Sequence, residues 1–113
     1  MFGRRKGAGK TPQEPRPLPA DARRLHVRFV GQVQGVGFRW TCQNICITRH
    51  LTGWVRNESD GSVELEIQGA AGDVSAFFTD LVGSYRRFPI SYRIEEKDDM
   101  PLDPTEADFE VRF

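Results

Sequence analysis

The chain has 113 residues, of which 16 are basic, 16 are acidic and 38% are apolar, so it can build only one small domain with a thin core. No apolar run approaches the roughly 18 residues that a membrane-spanning helix needs. The first twenty residues also lack the apolar centre of a secretory signal. We therefore expect a cytoplasmic protein.

The start of the chain differs in composition from the rest. Residues 1–20 contain five basic side chains against Glu14, together with four prolines. Such a segment has too little apolar surface to offset the entropy lost on ordering. We predict a disordered tail over residues 1–22 and a folded domain over residues 23–113. A solvated extension is favoured over an arm that binds nucleic acid.

A glycine-rich turn connects the first predicted strand to the first predicted helix. Leu25, Val27 and Phe29 alternate with their neighbours as in a strand. A helix is predicted from Phe38 to about Arg49. The intervening segment contains Gly31, Gly35 and Gly37, which allow backbone amides to turn toward a bound anion.

Arg39 falls in the first turn of that helix, where the helix dipole disfavours a cation unless an anion is close. Backbone amides at a helix start and a guanidinium together suit a phosphate. The spacing matches neither a Walker loop nor the dinucleotide fingerprint, and Val33 and Gln34 stand where a phosphocysteine enzyme would need its cysteine. A tight turn with a surface arginine is the alternative interpretation.

The remaining elements follow from periodicity. A strand over Gly53 to Glu58 is joined by an Asp60-Gly61 turn to a strand containing Val63, Leu65 and Ile67. The second helix is predicted to begin after Asp73 as N-cap and to end near Gly83. Its predicted apolar stripe comprises Val74, Phe77, Phe78, Leu81 and Val82. Two further alternating runs predict strands, one at Ile90, Tyr92 and Ile94 and one at Phe109, Val111 and Phe113.

Two split βαβ units of this kind predict an α+β fold of the ferredoxin-like type. The expected order is βαββαβ, with both helices on one face of an antiparallel sheet and a short closing strand. Cys42 and Cys46 lie four residues apart on the first helix, where a disulfide has poor geometry, so we expect free buried thiols. A zinc site lacks further ligands at motif spacing.

The segments Gly31 to Arg39 and Gly53 to Asn57 together resemble the acylphosphatase family. That family has a phosphate loop of the form Gly-x-Val-Gln-Gly-Val-x-Phe-Arg and a second motif of the form Gly-x-Val-x-Asn. The resemblance covers about residues 24–113. It implies hydrolysis of small acyl phosphates to carboxylate and inorganic phosphate by in-line attack of water. We take a monomer as the default, and we expect no metal or cofactor because the sequence shows no ligand set for a cation.

The resemblance also implies which residues form the site. Arg39 and Asn57 would be catalytic, and the phosphate-binding loop would comprise Gln34, Gly35, Val36, Gly37 and Phe38. One departure concerns the end of the first helix, where the family commonly has a glycine and this chain has His50. Either His50 adopts positive φ or the end of the helix is rebuilt, and we expect a strain of about 1 kcal/mol.

Two other functions are compatible with this fold. One is a regulatory or interaction domain that binds an anion without turnover, since this fold also occurs as a part of larger carbamoyl-transferring proteins; we expect this less, because the sequence ends at Phe113. An RNA-binding domain of the same topology would display aromatic and basic side chains on its third strand, whereas Glu64 and Glu66 stand there. We therefore expect no nucleic-acid partner.

Overall fold

The computed structural model describes residues 17–113, so the first sixteen residues of the predicted tail lie outside the described residues. Five strands and two helices follow one another along the chain. Their bounds are β1 Arg23–Gly31, α1 Phe38–Thr48, β2 Thr52–Asn57, β3 Val63–Gly69, α2 Ala71–Ser84, β4 Tyr92–Met100 and β5 Phe109–Arg112. No helix in this part of the chain is long and apolar enough to cross a membrane.

The strands form one sheet in the order β4-β1-β3-β2-β5, and the predicted ferredoxin-like α+β fold is confirmed. The first four strands pair antiparallel, as expected. The closing strand β5 instead pairs parallel to β2, so the sheet is mixed. The reason is that β5 enters beside the start of β2, where the Gly53 amide donates to the Asp108 main-chain oxygen at 3.1 Å, and then runs in the same direction.

The core lies between one face of the sheet and the two helices. Strand β1 contributes Leu25, Val27 and Phe29, and β3 contributes Val63, Leu65 and Ile67; all six are buried. The helices add Phe38, Cys42 and Cys46 from α1 and Val74, Phe77 and Leu81 from α2. The period-2 and period-3.6 patterns of the sequence therefore select the same core. The expectation of free buried thiols is confirmed.

The opposite face of the sheet carries an ion-pair network between neighbouring strands. Arg24 donates to Glu66 and to Glu106, each at 2.8 Å. The His26 ring lies between two carboxylates, with 2.9 Å to Glu66 and 3.1 Å to Glu64. Cross-strand register places these opposite charges side by side. The face therefore presents paired charges rather than the exposed aromatic side chains that RNA-binding sheets use.

The second helix corrects two details of the sequence prediction. It begins at Ala71 with Ala70 as its N-cap, so the prediction of Asp73 as N-cap was wrong. The chain enters α2 directly from β3, and Asp73 lies in the first turn, where the helix dipole favours an acid. Val82 was also wrongly assigned to the buried stripe, because it is 59% exposed; the helix packs on the sheet through Val74, Phe77 and Leu81 instead.

At the end of the first helix the first of the two alternatives holds, because His50 adopts a positive φ of +58°. The His50 amide donates to the Ile47 oxygen at 3.2 Å, and the Leu51 amide donates to the Cys46 oxygen at 2.8 Å. These two bonds form a Schellman motif, in which the residue at the left-handed position is usually glycine. The helix terminus thus keeps its ordinary hydrogen bonds at the cost of a strained histidine.

Candidate active site

The loop between β1 and α1 contains glycines of two kinds. Gly31 has φ +105°, and a side chain there would meet the main-chain oxygen of Ser91 at 2.8 Å, so this glycine permits close packing. Gly35 and Gly37 have φ of +76° and +75°, but a Cβ atom on either would meet nothing within 4 Å. Both glycines thus have a positive φ and open space beside the Cα atom. A loop whose amides turn toward a bound phosphate needs this combination.

Gln34 ties this loop to the β2–β3 hairpin. Its side-chain amide donates to the main-chain oxygens of Glu58 at 2.8 Å and Ser62 at 2.9 Å. The side chain therefore points away from the proposed phosphate position. Its structural effect is to hold the loop next to the end of β2, where Asn57 lies.

Val36 and the first turn of α1 are supported from the other side by Tyr85. The Tyr85 hydroxyl lies 3.5 Å from the Val36 oxygen and 3.3 Å from the Thr41 hydroxyl. Thr41 in turn donates from its amide and from its hydroxyl to the Gly37 oxygen, each at 3.0 Å. Because the Thr41 amide makes the first helical hydrogen bond, the amides before it have no helical acceptor and remain available to an anion.

Arg39 extends from the first turn of α1 toward the closing strand. Its Nη1 atom donates to the main-chain oxygen of Arg112 at 3.0 Å. The centre of its guanidinium lies 4.7 Å from the centre of the Phe113 ring. A guanidinium has five N–H donors, so these contacts orient the group while leaving donors for a ligand. No acidic residue occupies the first turn of α1.

Asn57 ends β2 with an unsatisfied acceptor. Its Oδ1 atom is buried and has no hydrogen-bond partner among the described residues. Buried polar atoms are nearly always paired with protein or ordered water. The Oδ1 atom of Asn57 can therefore accept a hydrogen bond from a water or another donor next to the glycine-rich loop.

These groups surround one depression of about 290 Å³. Of the residues expected from the sequence, Gly35, Gly37, Phe38, Arg39 and Asn57 line it. Gln34 and Val36 do not, because the Gln34 side chain binds the hairpin and Val36 packs against the core. Sequence reasoning missed the other four lining residues, which are Val33, Trp40, Val111 and Phe113.

The depression is positively charged and contains no acid or base side chain other than the arginine. Arg39 is the one ionisable residue among the nine that line it. Cys42 and Cys46 are fully buried, and burial raises the pKa of both thiols far above its usual range, so neither supplies a thiolate nucleophile. Within residues 17–113, no three His, Cys, Asp or Glu side chains are grouped to hold a metal ion.

Comparison with known proteins agrees with this geometry. Residues 25–111 match the model of the acylphosphatase family. The chain belongs to the acylphosphatase family. An acylphosphatase from Geobacillus thermodenitrificans is 38% identical over 92 residues, which span 80% of this chain and 95% of that relative. The match to the family thus extends from β1 to β5.

Solved structures show the same architecture in two contexts. An acylphosphatase from Coxiella burnetii aligns with a TM-score of 0.69 and 29% identity, covering 81% of this chain and 94% of that chain. The structure of HypF from T. kodakarensis aligns with a TM-score of 0.65 and 31% identity, covering 80% of this chain but only 12% of that chain. The acylphosphatase-like fold therefore occurs both as nearly a whole protein and as a small part of a larger one.

Proposed function

We propose that the chain hydrolyses acyl phosphates at the depression formed by the glycine-rich loop, Arg39 and Asn57. The phosphoryl group is bound by loop amides and the Arg39 guanidinium. A water held by Asn57 attacks phosphorus, a new P–O bond forms, and the bond between phosphorus and the carboxylate oxygen breaks. The products are a carboxylate and inorganic phosphate.

The observation that best supports this proposal is the unpaired Oδ1 atom of Asn57 in the same depression as Arg39. The acceptor can receive a hydrogen bond from a water, while the amide nitrogen of the same side chain can donate to a phosphoryl oxygen. Arg39 and the loop amides at the start of α1 then stabilise the charge that develops on the equatorial oxygens.

The absence of a general acid or base from the lining fits this class of substrate. A carboxylic acid has a pKa of about 4 to 5, so the carboxylate leaves at neutral pH without being protonated. The loose transition state of phosphoryl transfer also asks little of the attacking water. Positioning and charge stabilisation therefore suffice, without a metal or a cofactor.

Finer features of the proposal concern the substrate, the partners and the setting of the protein. The substrate is a small molecule, because the depression is only about 290 Å³, and the product phosphate occupies the cradle after turnover. A nucleic-acid partner is not proposed, because Trp54 on the opposite face of the sheet is only 9% exposed. We propose a monomer that acts in the cytoplasm.

The direct test is hydrolysis of benzoyl phosphate by the purified chain in buffer containing EDTA and ¹⁸O-labelled water. We expect turnover with one ¹⁸O atom in the released phosphate and none in benzoate, because water attacks phosphorus. Inorganic phosphate should inhibit competitively, since it fills the same cradle. Label in benzoate or loss of activity in EDTA would contradict the mechanism. Phosphate binding without any turnover would support the anion-binding domain instead.

A further inference from the structure

The depression has an apolar side that the phosphate mechanism does not use. Its lining includes four apolar residues that the mechanism does not use, which are Val33, Trp40, Val111 and Phe113. Val33 is buried in the core. Trp40 and Phe113, in contrast, are 68% and 96% exposed. Two large aromatic side chains therefore stand in water at the mouth of an anion site.

Neither aromatic ring is explained by the packing of the domain. Trp40 and Phe113 are both outside the set of residues that form the core or pack against it. Phe113 is placed by its stacking on the Arg39 guanidinium, at 4.7 Å from the ring centre, and Trp40 directly follows Arg39 in the first turn of α1. Both rings are thus positioned relative to the group that binds phosphate.

The lining residues also restrict which acyl groups fit beside the bound phosphoryl group. Once Arg39 and Asn57 are engaged with the phosphoryl group and the water, the seven other lining residues offer no charged side chain, and the Trp40 indole N–H is their one polar side-chain group. A second carboxylate, phosphate or ammonium on the substrate would find no partner of opposite charge there. An apolar acyl group would instead cover aromatic surface that is otherwise exposed to water.

We propose that Trp40 and Phe113 form an acyl-side subsite that selects aromatic and other apolar acyl phosphates over small or charged ones. This inference rests on the proposed hydrolysis, because it assigns the other half of the same substrate. The phosphoryl end fixes the position of the substrate, and the acyl carbon chain leaves the cradle between the two rings.

The test compares benzoyl phosphate with acetyl phosphate in the wild-type chain and in Trp40→Ala. The measured quantity is kcat/KM for benzoyl phosphate divided by kcat/KM for acetyl phosphate. Differences in the intrinsic reactivity of the two substrates cancel when this ratio in the variant is divided by the ratio in the wild type. We expect Trp40→Ala to lower this ratio about 5-fold to 10-fold, chiefly through KM for benzoyl phosphate. Trp40→Phe should restore most of it.

Ile47→Ala provides a matched control. Ile47 is on the same helix, is 59% exposed and does not line the depression, so its removal should leave the ratio within twofold of the wild type. Circular dichroism checks that all variants fold. A ratio in Trp40→Ala that stays within twofold of the wild type would overturn the inference.

A binding measurement separates this inference from the proposed function. Calorimetry should show tighter binding of phenylphosphonate than of methylphosphonate, and Trp40→Ala should reduce that preference. Equal affinities in the wild-type chain would overturn the subsite even if both acyl phosphates are hydrolysed. If neither acyl phosphate is hydrolysed, the hydrolase proposal fails, while the phosphonate preference still decides whether the subsite exists.

Discussion

The Nη1 atom of Arg39 donates a hydrogen bond of 3.0 Å to the main-chain oxygen of Arg112, which joins the first turn of α1 to the last strand of the sheet. An arginine in this position is disfavoured by the helix dipole, and the carbonyl dipole of β5 offsets part of that cost. Because β5 pairs parallel to β2, the same strand lies beside the strand that ends at Asn57. The closing strand therefore fixes the arginine relative to the asparagine.

Replacing Arg39 with lysine tests whether the planar guanidinium, with its several N–H donors, is needed. A lysine ammonium keeps the charge but cannot bind a phosphoryl group through two parallel hydrogen bonds while also donating to Arg112. We expect Arg39→Lys to lower kcat/KM for benzoyl phosphate by about 10²-fold or more. Steady-state kinetics measures this, and activity within threefold of the wild type would show that charge alone is sufficient.

Replacing His50 with glycine should stabilise the protein. The φ of +58° at His50 strains any residue with a Cβ atom and is readily adopted by glycine. We expect His50→Gly to raise the free energy of unfolding by about 0.5 to 1 kcal/mol and the Tm by a few degrees. Thermal unfolding measures this. Asn44→Gly, an exposed site inside the same helix, is the control and should lower the Tm.

Gly53 should be far less tolerant of substitution than Gly61. A Cβ atom at Gly53 would lie 1.8 Å from the main-chain oxygen of Glu66, and φ there is +139°. At Gly61 φ is +93° but a Cβ atom would meet nothing within 4 Å. We expect Gly53→Ala to destabilise by more than about 3 kcal/mol and Gly61→Ala by about 1 to 2 kcal/mol. Urea unfolding compares the two, and equal losses would mean that β2 and β3 separate easily.

The ion pairs on the sheet predict a loss of stability in acid. Partial burial alone would raise the pKa of Glu66, but hydrogen bonds from His26 and Arg24 hold it below its usual 4.5. Hydrogen bonds from Ser62 and Arg28 lower the pKa of Asp60 from 3.8 to about 2. A carboxylate with a lowered pKa stabilises the folded state fully above its unfolded pKa, and this contribution disappears as the pH falls through the folded pKa.

We therefore expect the free energy of unfolding to fall as the pH decreases from about 4.5 to 2. Urea unfolding at several pH values measures this loss. Glu66→Gln removes one of the titrating groups, so its stability should depend less steeply on pH over the same interval. An unchanged slope in Glu66→Gln would show that other carboxylates dominate the acid unfolding.

The sequence predicted the parts of the site that depend on residue type at a fixed position. Gly35 and Gly37 were recognisable because positive φ favours glycine, and Arg39 because a cation at a helix start is unusual. The Arg112 contact was not predictable, because any residue has a main-chain oxygen. The anchoring role of the Gln34 side chain was also hidden, since its acceptors lie at Glu58 and Ser62, far away in sequence.

The errors in the fold have equally local causes. Asp73 satisfied the residue preference for an N-cap, but the short connection from β3 started the helix at Ala71. Val82 satisfied the helical spacing, yet it is 59% exposed, because α2 buries only Val74, Phe77 and Leu81. Parallel pairing of β5 depends on where the preceding loop crosses the sheet, and no periodicity of the sequence encodes that path.

The central claim is that Arg39 binds the phosphoryl group while Asn57 acts mainly on the attacking water. Calorimetric affinity for inorganic phosphate, measured together with kcat for benzoyl phosphate in Arg39→Ala and Asn57→Ala, tests it most directly. Arg39→Ala should lose both phosphate binding and turnover. Asn57→Ala should lose about 10²-fold to 10³-fold in kcat while binding phosphate within a few fold of the wild type. Near-normal kcat in a folded Asn57→Ala variant, or loss of phosphate binding as severe as in Arg39→Ala, would contradict the account.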